Sequence, residues 1–166
     1  RHLYEEPGKF LLIQSEEISD NLGDLAVHIN ATNLLETILP QGGDSILEMM
    51  QNNINAVLEQ RDRTRQPMFP HLNHPNAGGS MTAEEMALVK GERFFEIYNP
   101  CCAGKDGDEY YTGIEDIWDI ILAKRLLELD REIMYGIAVD DAHHYPGTGT
   151  ENVSPGRGWV VVQAYI

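Results

Sequence analysis

Short, almost continuous apolar runs alternate along this chain with segments of helical periodicity, and this alternation constrains the fold more than any other feature. The runs that resemble strands lie at residues 9–17, 25–30, 93–99, 132–139 and 158–165, and the segment 67–79 begins like a strand. Between them lie a helical pattern at about 44–61, a short helix started by a Thr82/Glu85 capping box, and an apolar helix at 114–129. Continuous apolar strands are typical of a sheet that is covered on both faces. The pattern predicts an α/β fold with parallel strands, either a barrel or an open sheet.

Potential metal ligands stand where these apolar runs give way to loops. They are Glu17, His28, His74, and Asp141 with His143. In α/β barrels, functional side chains project from the carboxyl ends of strands, because the loops there line the open mouth. Imidazole nitrogen together with carboxylate oxygen suits Zn²⁺, Mn²⁺ or Fe²⁺. A single histidine in such a position is more often a hydrogen-bonded structural residue, so the repetition of the pattern is what predicts a metal site.

The charge of the chain bears on its partners. Lys and Arg number 12 and Asp and Glu number 27, which gives a formal net charge of −15. Nucleic-acid binding requires a basic surface, so we expect no nucleic-acid partner. No apolar run has the length needed to span a bilayer. The adjacent Cys101 and Cys102 indicate neither a disulfide framework nor a C-x-x-C metal pair.

A series of short motifs occurs in a defined order: SEEIS, VHIN, NHPN, EIYN, WDIIL, GIAVDDAHH and GRGWVVV. Together they resemble the PHP family of metal-dependent phosphoesterases, and most closely its CehA/McbA-like metallohydrolase subgroup. The resemblance implies a distorted (β/α)7 TIM-like barrel with two or three divalent metal ions, Zn, Mn or Fe, at its mouth. The family's opening His-x-His strand and T-D-H segment do not occur here. We therefore expect a partial barrel, in which residues 1–166 form a single domain that lacks its N-terminal part.

The resemblance also implies roles for particular residues. The matching metal ligands are Glu17 (with Glu16 as the alternative), His28, His74, Asp141 and His143. Glu17 would bridge two metals, the histidines would ligate through neutral imidazoles, and Asp141 would hold the attacking water. Asp141 and His143 are accordingly the predicted catalytic residues.

The implied function is metal-dependent hydrolysis of a small phosphorylated substrate by a metal-activated water. Two alternatives stay open at this point. One is hydrolysis of a carboxyl ester, amide or carbamate by the same kind of centre, which a fold alone does not distinguish. The other is a non-catalytic binding module with a vestigial site, because the family's first ligands are missing from the sequence.

Several further residues have two interpretations each. Glu96 and Asn99 end a strand, and Arg157 carries a guanidinium that suits phosphate, so all three are candidate substrate-binding residues. Packing, capping or surface exposure is the alternative for each of them. Asp140 and His144 either orient the ligands or are solvated loop residues. Two residues are interpreted as structural: His71 and Trp118.

Overall fold

A computed structural model of the chain describes residues 3–77, 79–100, 113–144 and 153–163. Residues 101–112, which include both cysteines, lie outside the described residues, as do positions 145–152 and 164–166. The strands are β1 (Ser15–Leu22), β2 (Leu25–Thr32), β3 (Phe69–Leu72), β4 (Phe94–Tyr98) and β5 (Tyr135–Ala138). The helices are α1 (Ile46–Thr64), α2 (Ala83–Leu88) and α3 (Ile114–Ala123), and α3 continues as a π-helical turn at Lys124–Glu128.

The five strands form one open, mixed sheet in the order β1-β2-β3-β4-β5. β1 and β2 make an antiparallel hairpin, and β3 also runs antiparallel to β2. Among the described strands, only β3, β4 and β5 are mutually parallel. Helices α2 and α3 lie in the two crossovers between these parallel strands, as parallel connections require.

The predicted (β/α)7 barrel, whole or partial, is wrong, because the described strands form an open sheet whose first half is antiparallel. Only Gly23 and Asp24 separate β1 from β2, and two residues cannot make the crossover between parallel strands. Gly23 has a φ of +62°, which suits a tight hairpin turn. The predicted strands at 9–17 and 158–165 are also corrected, since residues 9–14 and the described residues 158–163 lie outside the sheet.

The helix predictions are confirmed, with shifted ends. α1 begins after Ser45, whose side chain accepts a hydrogen bond from Glu48 N at 3.2 Å, and it ends at Thr64, followed by Arg65 in the left-handed region. α2 begins with the expected capping box, in which Thr82 and Glu85 each accept from the other's main-chain N–H at 3.2 Å. No helix in the described ranges is long and apolar enough to cross a membrane.

The core lies between the helices and one face of the sheet. It joins the buried stripe of α1 to apolar side chains of the strands, including Met50, Ile54, Val57, Val27, Ile29, Leu72 and Phe95. Trp118 packs against this core, and its indole N–H donates to the main-chain oxygen of Met134 at 2.8 Å. Because the helices cover one face of the sheet, polar side chains of the strands are directed to the other.

Glu92 is a buried carboxyl just before β4, with 1% of its surface exposed. One of its oxygens accepts the main-chain N–H groups of Arg93 and Phe94, while the other has no partner within the described chain. Burial raises the pKa of Glu92 well above its usual value, although these two bonds and the charge of Arg125 act in the opposite direction.

Replacing Glu92 by glutamine should therefore stabilise the protein at neutral pH. Between about pH 4.5, where the unfolded chain releases this proton, and the raised pKa of the folded state, the folded protein keeps it, so stability falls as the pH rises. Glutamine does not ionise, and the gain should be about 1 kcal/mol near pH 8 and close to zero near pH 4. Urea unfolding of both proteins at the two pH values measures it. A variant that is less stable near pH 8 would show instead that Glu92 is ionised and held by Arg125.

Candidate metal centre

The candidate site lies on the sheet face opposite the core. Along β2, Val27 and Ile29 are fully buried in the core, so His28 and Asn30 point to the other face. Cross-strand pairing places Glu17 of β1 opposite Asn30. Because directly paired residues share a face, the Glu17 side chain lies next to that of His28. The hairpin thus brings together two of the predicted ligands.

Glu17, His28 and His74 form a cluster with converging donor atoms. Glu17 Oε1 lies 3.0 Å from His28 Nδ1, and His28 Nδ1 lies 3.3 Å from His74 Nε2. The second carboxylate oxygen, Glu17 Oε2, is 4.0 Å from His74 Nε2. One donor atom from each residue lies within 4.8 Å of the others, a spacing that suits a shared metal ion.

His74 reaches this cluster from the loop that follows β3. Its φ of +21° is unusual for a residue with a side chain. The main chain here is held on both sides: Asn73 N donates to His28 O at 3.1 Å, and His74 N donates to Glu96 Oε2 at 2.8 Å. An unfavourable conformation of this kind persists only when surrounding contacts fix it.

The electrostatics of the cluster favour an ionised carboxylate. The hydrogen bond from His28 lowers the pKa of Glu17 to about 2, against the opposing effect of burial. The same hydrogen bond raises the pKa of His28, again against burial, and the charges of Asp141 and Glu96 add to the rise. Glu17 is therefore ready to bind a cation, and a cation that binds His28 has to displace its proton.

Glu96 connects this cluster to Asp141 through hydrogen bonds that are buried or partly buried. Glu96 is 3% exposed, and its Oε2 accepts from His74 N at 2.8 Å and from Asn99 Nδ2 at 2.9 Å. Asn99 Nδ2 also lies 3.1 Å from Asp141 Oδ2. The other oxygen of Glu96 lies 3.1 Å from His71 Nε2, which is itself buried. Glu96 and Asn99 thus make protein contacts beneath the site, and their predicted contact with substrate stays a prediction.

Asp141 is close enough for its charge to act on His28, and His143 contacts Asp141. His143 Nδ1 is 2.6 Å from the main-chain oxygen of Asp141 and 3.6 Å from its Oδ1. Asp141 has a φ of +45°, so two of the five predicted ligands adopt strained conformations. Of those five, Glu17, His28 and His74 converge, whereas Asp141 and His143 stand outside the group of donor atoms within 4.8 Å.

Asp140 fixes the loop at residues 156–158, which lies against the chain just after β5. Its carboxylate accepts the main-chain N–H groups of Gly156, Arg157 and Gly158 at 2.6–2.7 Å. Burial opposes the ionisation of Asp140, but these three bonds lower its pKa. A Cβ at Gly158 would collide with the main chain of Val139, so the loop lies directly against the strand end. The phosphate-binding role of Arg157 stays a prediction.

Sequence reasoning missed two side chains that contact Glu17. Asn73 Nδ2 donates to Glu17 Oε2 at 2.7 Å, and Ser19 Oγ donates to Glu17 Oε1 at 2.9 Å. Ser19 stands two positions after Glu17 in a strand, so period-two alternation is a signal that could have found it. Asn73 immediately precedes His74, but nothing in the local sequence shows that it meets a residue 56 positions earlier.

Comparisons with protein-family models, with curated proteins and with solved structures find no match for this chain. The resemblance to the PHP family therefore remains an expectation from the order of the motifs. Any functional argument has to start from the geometry of the cluster itself.

Proposed function

We propose that the chain binds a divalent cation through Glu17, His28 and His74 and acts as a metal-dependent phosphoesterase. The observation that supports this most strongly is the convergence of three donor groups from β1, β2 and the loop after β3. Two imidazoles and one carboxylate form a donor set that suits Zn²⁺, Mn²⁺ or Fe²⁺. Three protein ligands, rather than four, are typical of a catalytic centre that leaves room for substrate.

A second ion is proposed beside the first, with Asp141 and His143 as its ligands. The hydrogen bonds that run from His74 through Glu96 and Asn99 keep Asp141 next to the cluster. A divalent cation supplies Lewis-acid polarisation of a phosphoryl oxygen and lowers the pKa of water. The chain's own residues orient the groups: Glu96 holds the His74 main chain, and Asp141 holds His143 through its main-chain oxygen.

One observation favours hydrolysis of a neutral ester or carbamate as a second candidate. Throughout the described residues, no lysine or arginine side chain forms a hydrogen bond or ion pair with Glu17, His28 or His74. Glu96 and Asp141 add negative charge close to the cluster. A phosphate dianion is repelled by these carboxylates, whereas a neutral ester is not.

Hydrolysis of three matched aryl substrates, a phosphate, a carboxylate ester and a carbamate, distinguishes these candidates. With Zn²⁺ or Mn²⁺ added, we expect turnover of the phosphate that falls by at least about a hundredfold in Asp141→Ala. Asp119→Ala is the matched control, because Asp119 is an exposed residue of α3. Turnover of the ester or carbamate alone would favour the second candidate. Absence of all three activities in a cation-loaded protein would overturn the hydrolase proposal and indicate a binding module.

A further inference from the structure

Asn73 is a buried residue whose side chain contacts the candidate metal centre. It follows β3 directly and is 2% exposed. Its main-chain N–H donates to His28 O at 3.1 Å, which continues the pairing of β3 with β2. Its side-chain Nδ2 lies 2.7 Å from Glu17 Oε2. Because an ionised carboxylate only accepts hydrogen bonds, the group that faces Glu17 has to be the amide NH₂.

With this contact in place, one oxygen of Glu17 faces His28 and the other faces His74. Oε1 lies 3.0 Å from His28 Nδ1 and accepts from the exposed Ser19 hydroxyl at 2.9 Å. Oε2 lies 4.0 Å from His74 Nε2, and Asn73 is the residue that holds it there. Without the amide, the carboxylate can turn about its terminal bond, since sp³–sp² torsions are broad.

The same amide leaves its own oxygen unsatisfied. Asn73 Oδ1 is buried and has no hydrogen-bond partner among the residues that the structure describes. Burying a carbonyl oxygen without a partner costs folding free energy, and a leucine of similar size would avoid that cost. Asparagine is therefore a poor choice for stability at this position, and its contact with Glu17 is what distinguishes it from an apolar residue.

We infer that Asn73 is a positioning residue that orients the Glu17 carboxylate for the cation. The inference rests on the proposed function, because it assumes that Glu17, His28 and His74 bind a divalent metal. Residues that orient a metal ligand without touching the metal typically change metal affinity by 10- to 100-fold when they are replaced. Asn73 acts in this way from the buried side of the carboxylate.

The test measures Zn²⁺ affinity calorimetrically for the full chain and its Asn73→Leu variant. We expect an affinity at least tenfold lower in the variant, with a urea midpoint of the metal-free protein no lower than that of the original. Visible absorption of the Co²⁺-loaded proteins should also differ, because the carboxylate orientation changes. Asn55→Leu is the matched control: it is the same substitution at an exposed residue of α1, away from the cluster, so the affinity should change by less than about threefold. If Asn73→Leu does not fold, Asn73→Ala is measured in the same way.

Each outcome decides the inference. Equal affinities of the original protein and the Asn73 variant would overturn it and leave the proposed metal centre intact. A variant that loses affinity together with a clearly lower urea midpoint would overturn it as well, since Asn73 would then be structural. Failure of the original chain to bind Zn²⁺, Mn²⁺ or Co²⁺ would overturn the proposed centre itself, and the positioning role with it.

Discussion

Replacing Glu17 by glutamine is expected to weaken the binding of Zn²⁺ or Mn²⁺ by at least about a hundredfold. The variant keeps the volume of the side chain but removes the ionised oxygens, whose pKa of about 2 shows how strongly the site favours a negative charge. Glutamine also has only one acceptor oxygen, whereas both oxygens of Glu17 accept hydrogen bonds, one of them from Asn73 Nδ2. Isothermal titration of the metal-free proteins with each cation measures the effect.

Glu16→Gln is a sharp control for this experiment. Glu16 is the neighbouring carboxylate and the alternative that the sequence leaves open, yet its side chain accepts the main-chain N–H of Ile38. Because alternate residues of a strand point to opposite faces, Glu16 points away from the cluster, and replacing it should leave cation affinity unchanged. Equal losses in the two variants would indicate a diffuse effect of acidic charge and would contradict a defined centre at Glu17.

Replacing Glu96 by alanine should lower the free energy of unfolding by about 3 kcal/mol or more, a larger loss than for any other substitution proposed for this site. Glu96 is buried, and its removal leaves the His74 N–H and the ring of His71 without this acceptor, while the Asn99 amide loses one acceptor and keeps its contact with Asp141. Each buried polar group left unpaired costs about 1–3 kcal/mol. Urea unfolding of the metal-free protein measures the loss.

The control for Glu96→Ala is Glu115→Ala, in which an exposed glutamate of the first turn of α3 is removed. Its cost should stay within about 0.5–1 kcal/mol, the range expected for one charge at a helix N-terminus. Similar losses in both variants would contradict the view that Glu96 organises the polar residues beneath the site. In that case the hydrogen bonds that connect His74 to Asp141 through Glu96 and Asn99 would contribute nothing to folding stability.

The cluster itself could be predicted from the sequence, whereas the architecture around it could not. Glu17, His28 and His74 are predicted ligands because apolar runs give way to loops near them, and the structure brings all three together. The expected placement at strand ends holds only for His74, since Glu17 and His28 lie within β1 and β2. The barrel prediction is wrong because the apolar runs predict strands buried on both faces, whereas the helices cover only one face of the sheet. In β2, buried Val27 and Ile29 alternate with partly exposed neighbours, a pattern typical of an antiparallel strand with one polar face.

A local sequence signal predicts the hairpin of β1 and β2, whereas no local signal predicts the polar contacts of Glu96. The two-residue turn at Gly23 and Asp24 between alternating segments indicates a hairpin, which fixes the antiparallel pairing of β1 with β2. By contrast, Glu96 contacts residues of β2, of β3 and of the loop after β3. Such contacts depend on the register of strands distant in sequence, which composition and periodicity do not determine.

The most direct test of the account is anomalous diffraction from crystals grown with Zn²⁺, recorded on either side of the zinc absorption edge. We predict an anomalous peak about 2.0–2.3 Å from a Glu17 oxygen, His28 Nδ1 and His74 Nε2. Crystals with zinc in the solvent but without a peak at these three residues, or with peaks only at other surface carboxylates, would contradict the proposed metal centre.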